Sequence, residues 1–325
     1  MKYHKAQTYI LLLFALFLFS CGNETNQAPK AEKVRVIAPS FNADSAYLFI
    51  EQQVDFGPRF ISSPGWNKCG NFLVQSFEKY TPHVKEQNAP ITTYDGKSHT
   101  LRNIIASFSP EKNNRIALFA HWDTRHVADH DDIDPENPIL GANDGGSGVG
   151  VLLEVARALY KQESNIGVDI ILFDAEDYGN PESGPNSSLS WCIGSQHWSK
   201  NPHQQDYYAR YGILLDMVGS ENAVFAHEGY SRQYGNRILK KVWSSASKLG
   251  YDSYFQYKQS PAVLDDHYFV NAIANIPTID IIEFDDNTLS GFNKHWHTHA
   301  DDMRNINKET LKAVGQTLLE VIYNE

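Results

Sequence analysis

Cysteine, methionine and clustered basic charge are what this 325-residue chain has least of: three Cys, three Met, and no block of Lys or Arg beyond the first few residues. So few cysteines, in no metal-type spacing, exclude a disulfide scaffold and a cysteine zinc finger. A net charge of −11 without a basic stretch leaves nothing to neutralise a phosphate backbone, so nucleic acid is not an expected partner. No apolar run approaches the roughly 20 residues that span a bilayer. Internal repeats are absent, and neither Ser195 nor the glycines at 145–148 have the spacing of a nucleophile elbow or a phosphate loop.

What is present is an ordinary globular composition, 42% hydrophobic and 12% aromatic, at a length that one large α/β domain uses. The N-terminus is distinctive. Lys2, His4 and Lys5 precede an apolar run over 9–19, which stops at Ser20-Cys21-Gly22. This reads as a lipoprotein signal peptide over 1–20 with acylation at Cys21. On that reading the protein is an exported bacterial lipoprotein, anchored to a membrane and facing the periplasm. Residues 21–40, rich in Asn, Gln, Pro, Lys and Glu, then form a flexible tether, and 41–325 form a single catalytic domain. Of the remaining cysteines, Cys69 and Cys192, the plain reading is two small buried residues, with a disulfide as the alternative in an oxidising compartment.

Residues 44–80 are mostly helical in pattern, broken by Phe56-Gly57-Pro58-Arg59 and Ser62-Ser63-Pro64-Gly65. Short apolar runs at 101–108, 116–120, 168–173, 212–215 and 276–282 read as buried strands. Helical periodicity covers 147–160, 232–249 and 308–322. Strands alternating with helices predict an α/β fold with a mixed, mostly parallel central sheet and helices on both faces. The segments 123–139 and 178–189 exceed ordinary connections and are expected to decorate a site.

Polar residues fall at the ends of these strands. The run 116–120 leads into His121-Trp122-Asp123, 168–173 into Asp174-Ala175-Glu176-Asp177, and 212–215 into Asp216. In an open α/β sheet the carboxyl ends of the strands share one edge, where ligands bind. Gly141-Ala142-Asn143-Asp144-Gly145-Gly146-Ser147-Gly148 before a helix, and Trp296-His297-Thr298 in a late loop, fit the same edge. Taken singly, Asp144 reads as a turn or helix cap, Asp177 and Asp216 as strand-end acids, and His297 as a surface histidine. Together they form a density of carboxylates that needs a cation, and a mixed Asp and His set suits zinc with one position left open. The acidic run 129–134 lacks the spacing of an EF-hand calcium loop and reads as a solvated loop. Of His295, His297 and His299, His297 is taken as the one that faces the metal.

The ordered set His121-x-Asp123, Asn143-Asp144-Gly145-Gly146-Ser147-Gly148, Glu176-Asp177, Asp216 and His297-Thr298 resembles the zinc aminopeptidase-like family that includes the glutaminyl cyclases. The likeness covers residues 100–302. In a two-zinc aminopeptidase, the resemblance implies His121 and Asp216 on one metal, Asp177 and His297 on the other, Asp144 as the bridge and Glu176 as the general base. Animal-type glutaminyl cyclases use one zinc, held by the residues matching Asp144, Asp177 and His297, with His121 left as a ligand for a possible second site.

Several features are similar to the cyclases: Val263-Leu264-Asp265-Asp266-His267, Trp296 directly before His297, and Asp301-Asp302 after it. The resemblance then implies cyclisation of N-terminal glutamine in peptides and proteins to pyroglutamate with release of ammonia. Glu176 is the implied proton shuttle, Asp216 and Asp265 share a hydrogen bond and hold the leaving amide, and Trp191 and Trp296 are the pocket walls. Two departures stand out. Asp177 replaces the usual Glu, and the animal enzymes carry their Trp soon after the acidic pair, so Trp191 is assigned by position in space. A two-zinc aminopeptidase is the alternative activity, and an inactive peptidase-like binding protein is the reading from another class.

Overall fold

A seven-residue strand buried on both faces sets the architecture. The computed structural model describes residues 36–182 and 187–325. The signal peptide, Cys21 and most of the tether expected from the sequence lie outside the described residues. In chain order the elements are α1 (Ala43–Val54), α2 (Pro64–Glu78), β1 (Val84–Thr92), β2 (Ser98–Phe108), β3 (Arg115–His121), α3 (Gly146–Lys161), β4 (Gly167–Phe173) and α4 (Ile193–Lys200). They continue as β5 (Gly212–Asp216), β6 (Phe225–His227), α5 (Gly229–Lys248), β7 (Phe255–Gln259), α6 (Asp266–Phe269), β8 (Thr278–Ile282) and α7 (Lys308–Tyr323).

Six strands form one sheet in the order β1-β2-β4-β3-β5-β8, and β6 and β7 form a small separate pair. The pairings β4-β3, β3-β5 and β5-β8 are parallel, and β1-β2 and β2-β4 are antiparallel. Every residue of β3, β4, β5 and β8 is buried, which is why these strands read as continuous apolar runs. Their two faces feed two cores. Ile116, Leu118 and Ala120 of β3 join the larger one with residues of α1, α3 and α7, while Ala117 and Phe119 pack with Phe173, Trp198 and Leu214. Among the described residues no helix is long and apolar enough to cross a membrane.

The chain runs from β3 to β4 on one side and then crosses to β5 on the other, so the strand order reverses between β3 and β5. A crevice opens at such a reversal, at the carboxyl ends of the strands. One boundary differs from the sequence reading for an evident reason. The last strand starts at Thr278 rather than at residue 276, because Pro277 has no N–H to give and instead offers its carbonyl to Gly212 (2.9 Å). The first helical stretch divides where expected: Ser63 caps α2, accepting from the Trp66 N–H at 3.0 Å, with Pro64 as the first helical residue.

Candidate active site

Asp144 sits on the tight turn before α3. Gly141 (φ +57°) and Gly145 (φ +76°) take left-handed conformations there, and a Cβ on Gly145 would lie 2.8 Å from the His121 ring. One carboxylate holds the turn: Asp301 accepts from the N–H groups of Asn143 (2.7 Å) and Asp144 (3.0 Å). Arg59, fully buried, donates to the carbonyls of Leu140 (2.7 Å) and Gly141 (2.8 Å) beneath it. Asp123 does the same for the second acidic turn, accepting from the N–H groups of Glu176 (3.0 Å) and Asp177 (3.1 Å) just past β4.

His297 enters from a late loop with φ +56°. Its Nε2 lies 3.2 Å from Asp177 Oδ1 and 3.7 Å from Asp144 Oδ2, and its Nδ1 lies 2.8 Å from Asp129 Oδ1. His299 pairs with Asp131 (3.1 Å), and neither it nor His295 joins the cluster. The loop is a series of turns rather than extended chain, so turn geometry selects His297. The acidic run at 129–134 is partly structural: Asp129 and Asp131 hold His297 and His299.

Asp144, Asp177 and His297 bring one ligand atom each to within 4.8 Å of one another, all buried, and Asp144 Oδ2 and Asp177 Oδ2 have no hydrogen-bond partner. Burial, then the charge of Asp177, pushes the Asp144 carboxyl up to about 8. Burial also works against ionised Asp177, but His297 outweighs it and holds that carboxyl at about 2. Burial lowers His297, and Asp177 and Asp129 more than reverse this, to about 9. The donor set of two carboxylates and one imidazole, with two carboxylate oxygens left without a partner, fits zinc.

His121 Nε2 lies 3.1 Å from Asp144 Oδ1 and 3.2 Å from Asp216 Oδ1, a second buried group that shares Asp144 with the first. Glu176, half-buried, lines the same space; burial of its carboxyl, then the neighbouring Asp177, raises it well above the usual carboxylate range. The Cys192 thiol donates to Glu176 Oε1 at 3.0 Å. Both Cys192 and Cys69 are buried free thiols.

Behind Glu176, Asp216 stands near enough to Asp265 to act on its charge. Asp265 also caps α6, accepting from the Asp266 N–H at 2.5 Å. Burial, then the charge of Asp216, pushes Asp265 up to about 6. It also neighbours Asp280 of β8, which is buried beside His267, and His267 in turn meets Glu228 at 3.1 Å.

Trp191 and Trp296 stand nearly parallel to the His297 ring, with centroids 6.2 and 3.9 Å away. Together with Asp144, Glu176, Asp177 and Asp265 they line a cavity of about 590 Å³. Trp191 rests on Gly179, where any Cβ would fall 1.9 Å from the indole. The sequence reading did not find Arg59, Arg125, Asp129, Asp280 or Glu228. Arg125, four residues past His121 and just after a strand-end acid, carried the one usable signal: a basic residue in an acid-rich segment.

The family model for peptidase family M28 matches residues 103–322. The chain is 53% identical to the solved structure of Bacteroides thetaiotaomicron glutaminyl cyclase bound to N-acetylhistamine, with a TM-score of 0.87, over 89% of this chain and 100% of that one. It is 24% identical to Bos taurus glutaminyl-peptide cyclotransferase over 293 residues, 80% of this chain and 76% of that protein. Against Bacillus subtilis aminopeptidase YwaD it is 28% identical over 229 residues; this is 70% of this chain but spans only 45% of that longer protein. A family match over residues 103–322, most of the domain, makes this chain a member of peptidase family M28.

Proposed function

We propose that this protein is a zinc-dependent glutaminyl-peptide cyclotransferase that converts the N-terminal glutamine of peptides and proteins to pyroglutamate. The observation that carries the reading is the pairing of chemistry in one cavity: a metal-type triad and the buried Glu176 carboxyl, enclosed by two indoles. The 53% identity to a bacterial glutaminyl cyclase over that protein's whole length supports it. Asp144, Asp177 and His297 hold one zinc per chain. When bound, zinc supplies Lewis acidity toward the γ-carboxamide oxygen of the substrate.

The residues do the rest. Trp191 and Trp296 press the short glutamine side chain into the rotamer that brings its α-amine against its own amide carbon, where proximity supplies much of the rate. Glu176 takes a proton from the attacking amine and returns it to the departing nitrogen. The new bond joins the α-nitrogen to the amide carbon, the old C–N bond breaks, and ammonia leaves. Asp216 and Asp265 accept from the leaving amide, and the Cys192 thiol keeps the Glu176 carboxyl aimed into the cavity.

A two-zinc aminopeptidase is the second reading, favoured by the group His121, Asp144 and Asp216. One experiment separates the two on protein lacking residues 1–21: zinc per chain, with glutamine-peptide cyclisation and aminopeptidase turnover assayed in parallel. One zinc with ammonia release and a blocked N-terminus is expected. Two zincs with release of free amino acids would overturn the proposal.

We also infer from the N-terminal residues a lipid anchor at Cys21 and a periplasmic location. Fatty-acid labelling that is lost in Cys21→Ser is the expected result, and unlabelled wild-type protein would rule the anchor out.

A further inference from the structure

Arg125 lies on the loop after β3 and is completely buried. A guanidinium does not shed its charge, so every buried N–H needs a partner. Nε and Nη2 reach the Asp129 carboxylate at 3.3 and 2.7 Å. Nη1 donates to two carbonyls, those of Asp177 and Gly179, each at 2.7 Å. Its flat face lies over the Trp191 ring at 4.5 Å. Asp129, gripped by this fork, places Oδ1 2.8 Å from His297 Nδ1. Asp129 only accepts, so the ring keeps a proton on Nδ1, and it is Nε2, beside Asp144 and Asp177, that would be given up to a bound metal.

We propose that Arg125 is a positioning residue that couples the metal ligands to the aromatic wall. Through Asp129 it fixes the tautomer and tilt of His297, through two carbonyls it fixes the turn that carries Asp177, and through its face it seats Trp191. The inference rests on reading Asp177 and His297 as zinc ligands and Trp191 as a pocket wall. Lysine cannot replace it. An ammonium has three donors on one point and no plane to stack, so it cannot serve a carboxylate, two carbonyls and an indole at once.

The test uses R125K and D129N in the full domain, with three readouts that need no turnover: zinc affinity by chelator competition, binding of a Gln-Gly amide to the zinc form, and indole emission. For R125K, zinc affinity falls about 10- to 100-fold, peptide binding weakens, and the emission shift disappears when the change is made in a Trp191→Phe background. For D129N, zinc affinity falls while peptide binding at saturating zinc and indole emission stay as in wild type. Wild-type zinc affinity in R125K, or equal effects of both variants on the indole signal, would overturn the coupling. Should R125K fail to fold by circular dichroism, R125Q takes its place, and D129N decides the metal arm by itself. Absence of cyclase activity in the wild type would sink the functional reading while leaving these three readouts intact.

Discussion

Asp144 and Asp177 hold their places because other acids hold the backbone beneath them. Asp301 and Asp123 each collect two adjacent N–H groups, and so turn a pair of loop residues into a rigid mount for a carboxylate of the candidate metal cluster. At this scale Glu176 is the sharpest test. Glu176→Gln keeps the shape and the thiol contact but cannot carry the proton, so turnover falls about 10²- to 10⁴-fold with zinc content unchanged; full activity would remove Glu176 from the mechanism. The acids and histidine of the cluster were legible in the sequence because apolar runs reveal where buried strands end, and ligands gather at those ends. The mounts were not. Asp129 looked like one of several solvated acids, and Asp301 like part of a motif tail, because each works through a loop that folds back from far along the chain, 168 residues between Asp129 and His297.

Among the elements, the four parallel strands and the three long helices followed from periodicity alone. The outer strand of the edge hairpin did not. β1 is largely exposed and reads Val-Lys-Glu-Gln-Asn-Ala-Pro-Ile-Thr, polar and interrupted by Pro90, so no buried run announces it. β6, three residues long, is too short for any period to register. The connection after β4 is where an element-level change should reach function. Gly179→Ala drives a methyl into the Trp191 ring, displacing one wall while leaving the ligand cluster in place. Loss of a packed aromatic of this kind is worth about 1.5 kcal/mol, which raises KM for a glutamine peptide about tenfold with zinc content and kcat little changed. A wild-type KM in this variant would show that Trp191 does not contact substrate.

For the molecule as a whole, uncompensated charge sets stability. Removing zinc leaves the buried acids to be balanced by protons, and a ligand held at 1,000 times its Kd contributes about 4 kcal/mol. Chelation should therefore lower Tm by about 5–15 °C in a domain of this size, as differential scanning calorimetry would record; an unchanged Tm would argue against a metal in the fold. A second titration lies away from the cluster. Burial works against ionised Glu228, yet the His267 contact and the N–H groups of Tyr230 and Ser231 outweigh it and hold the carboxyl at about 2, below the unfolded value of 4.5. A depressed folded pKa gives stability that is complete above pH 4.5 and lost as pH falls toward 2, about 3 kcal/mol in all. Glu228→Gln should thus be less stable than wild type at pH 7, with the gap closing near pH 2 in urea titrations; a gap independent of pH would deny the pairing. The cavity itself is lined by six carboxylates and, among the described residues, by no lysine or arginine. A peptide amino terminus approaches such a wall as an ammonium ion and is drawn in by it. Ring closure converts that amine into a neutral lactam, so the reaction erases the charge that attracted its own substrate, and the product departs with no Coulomb attraction holding it back.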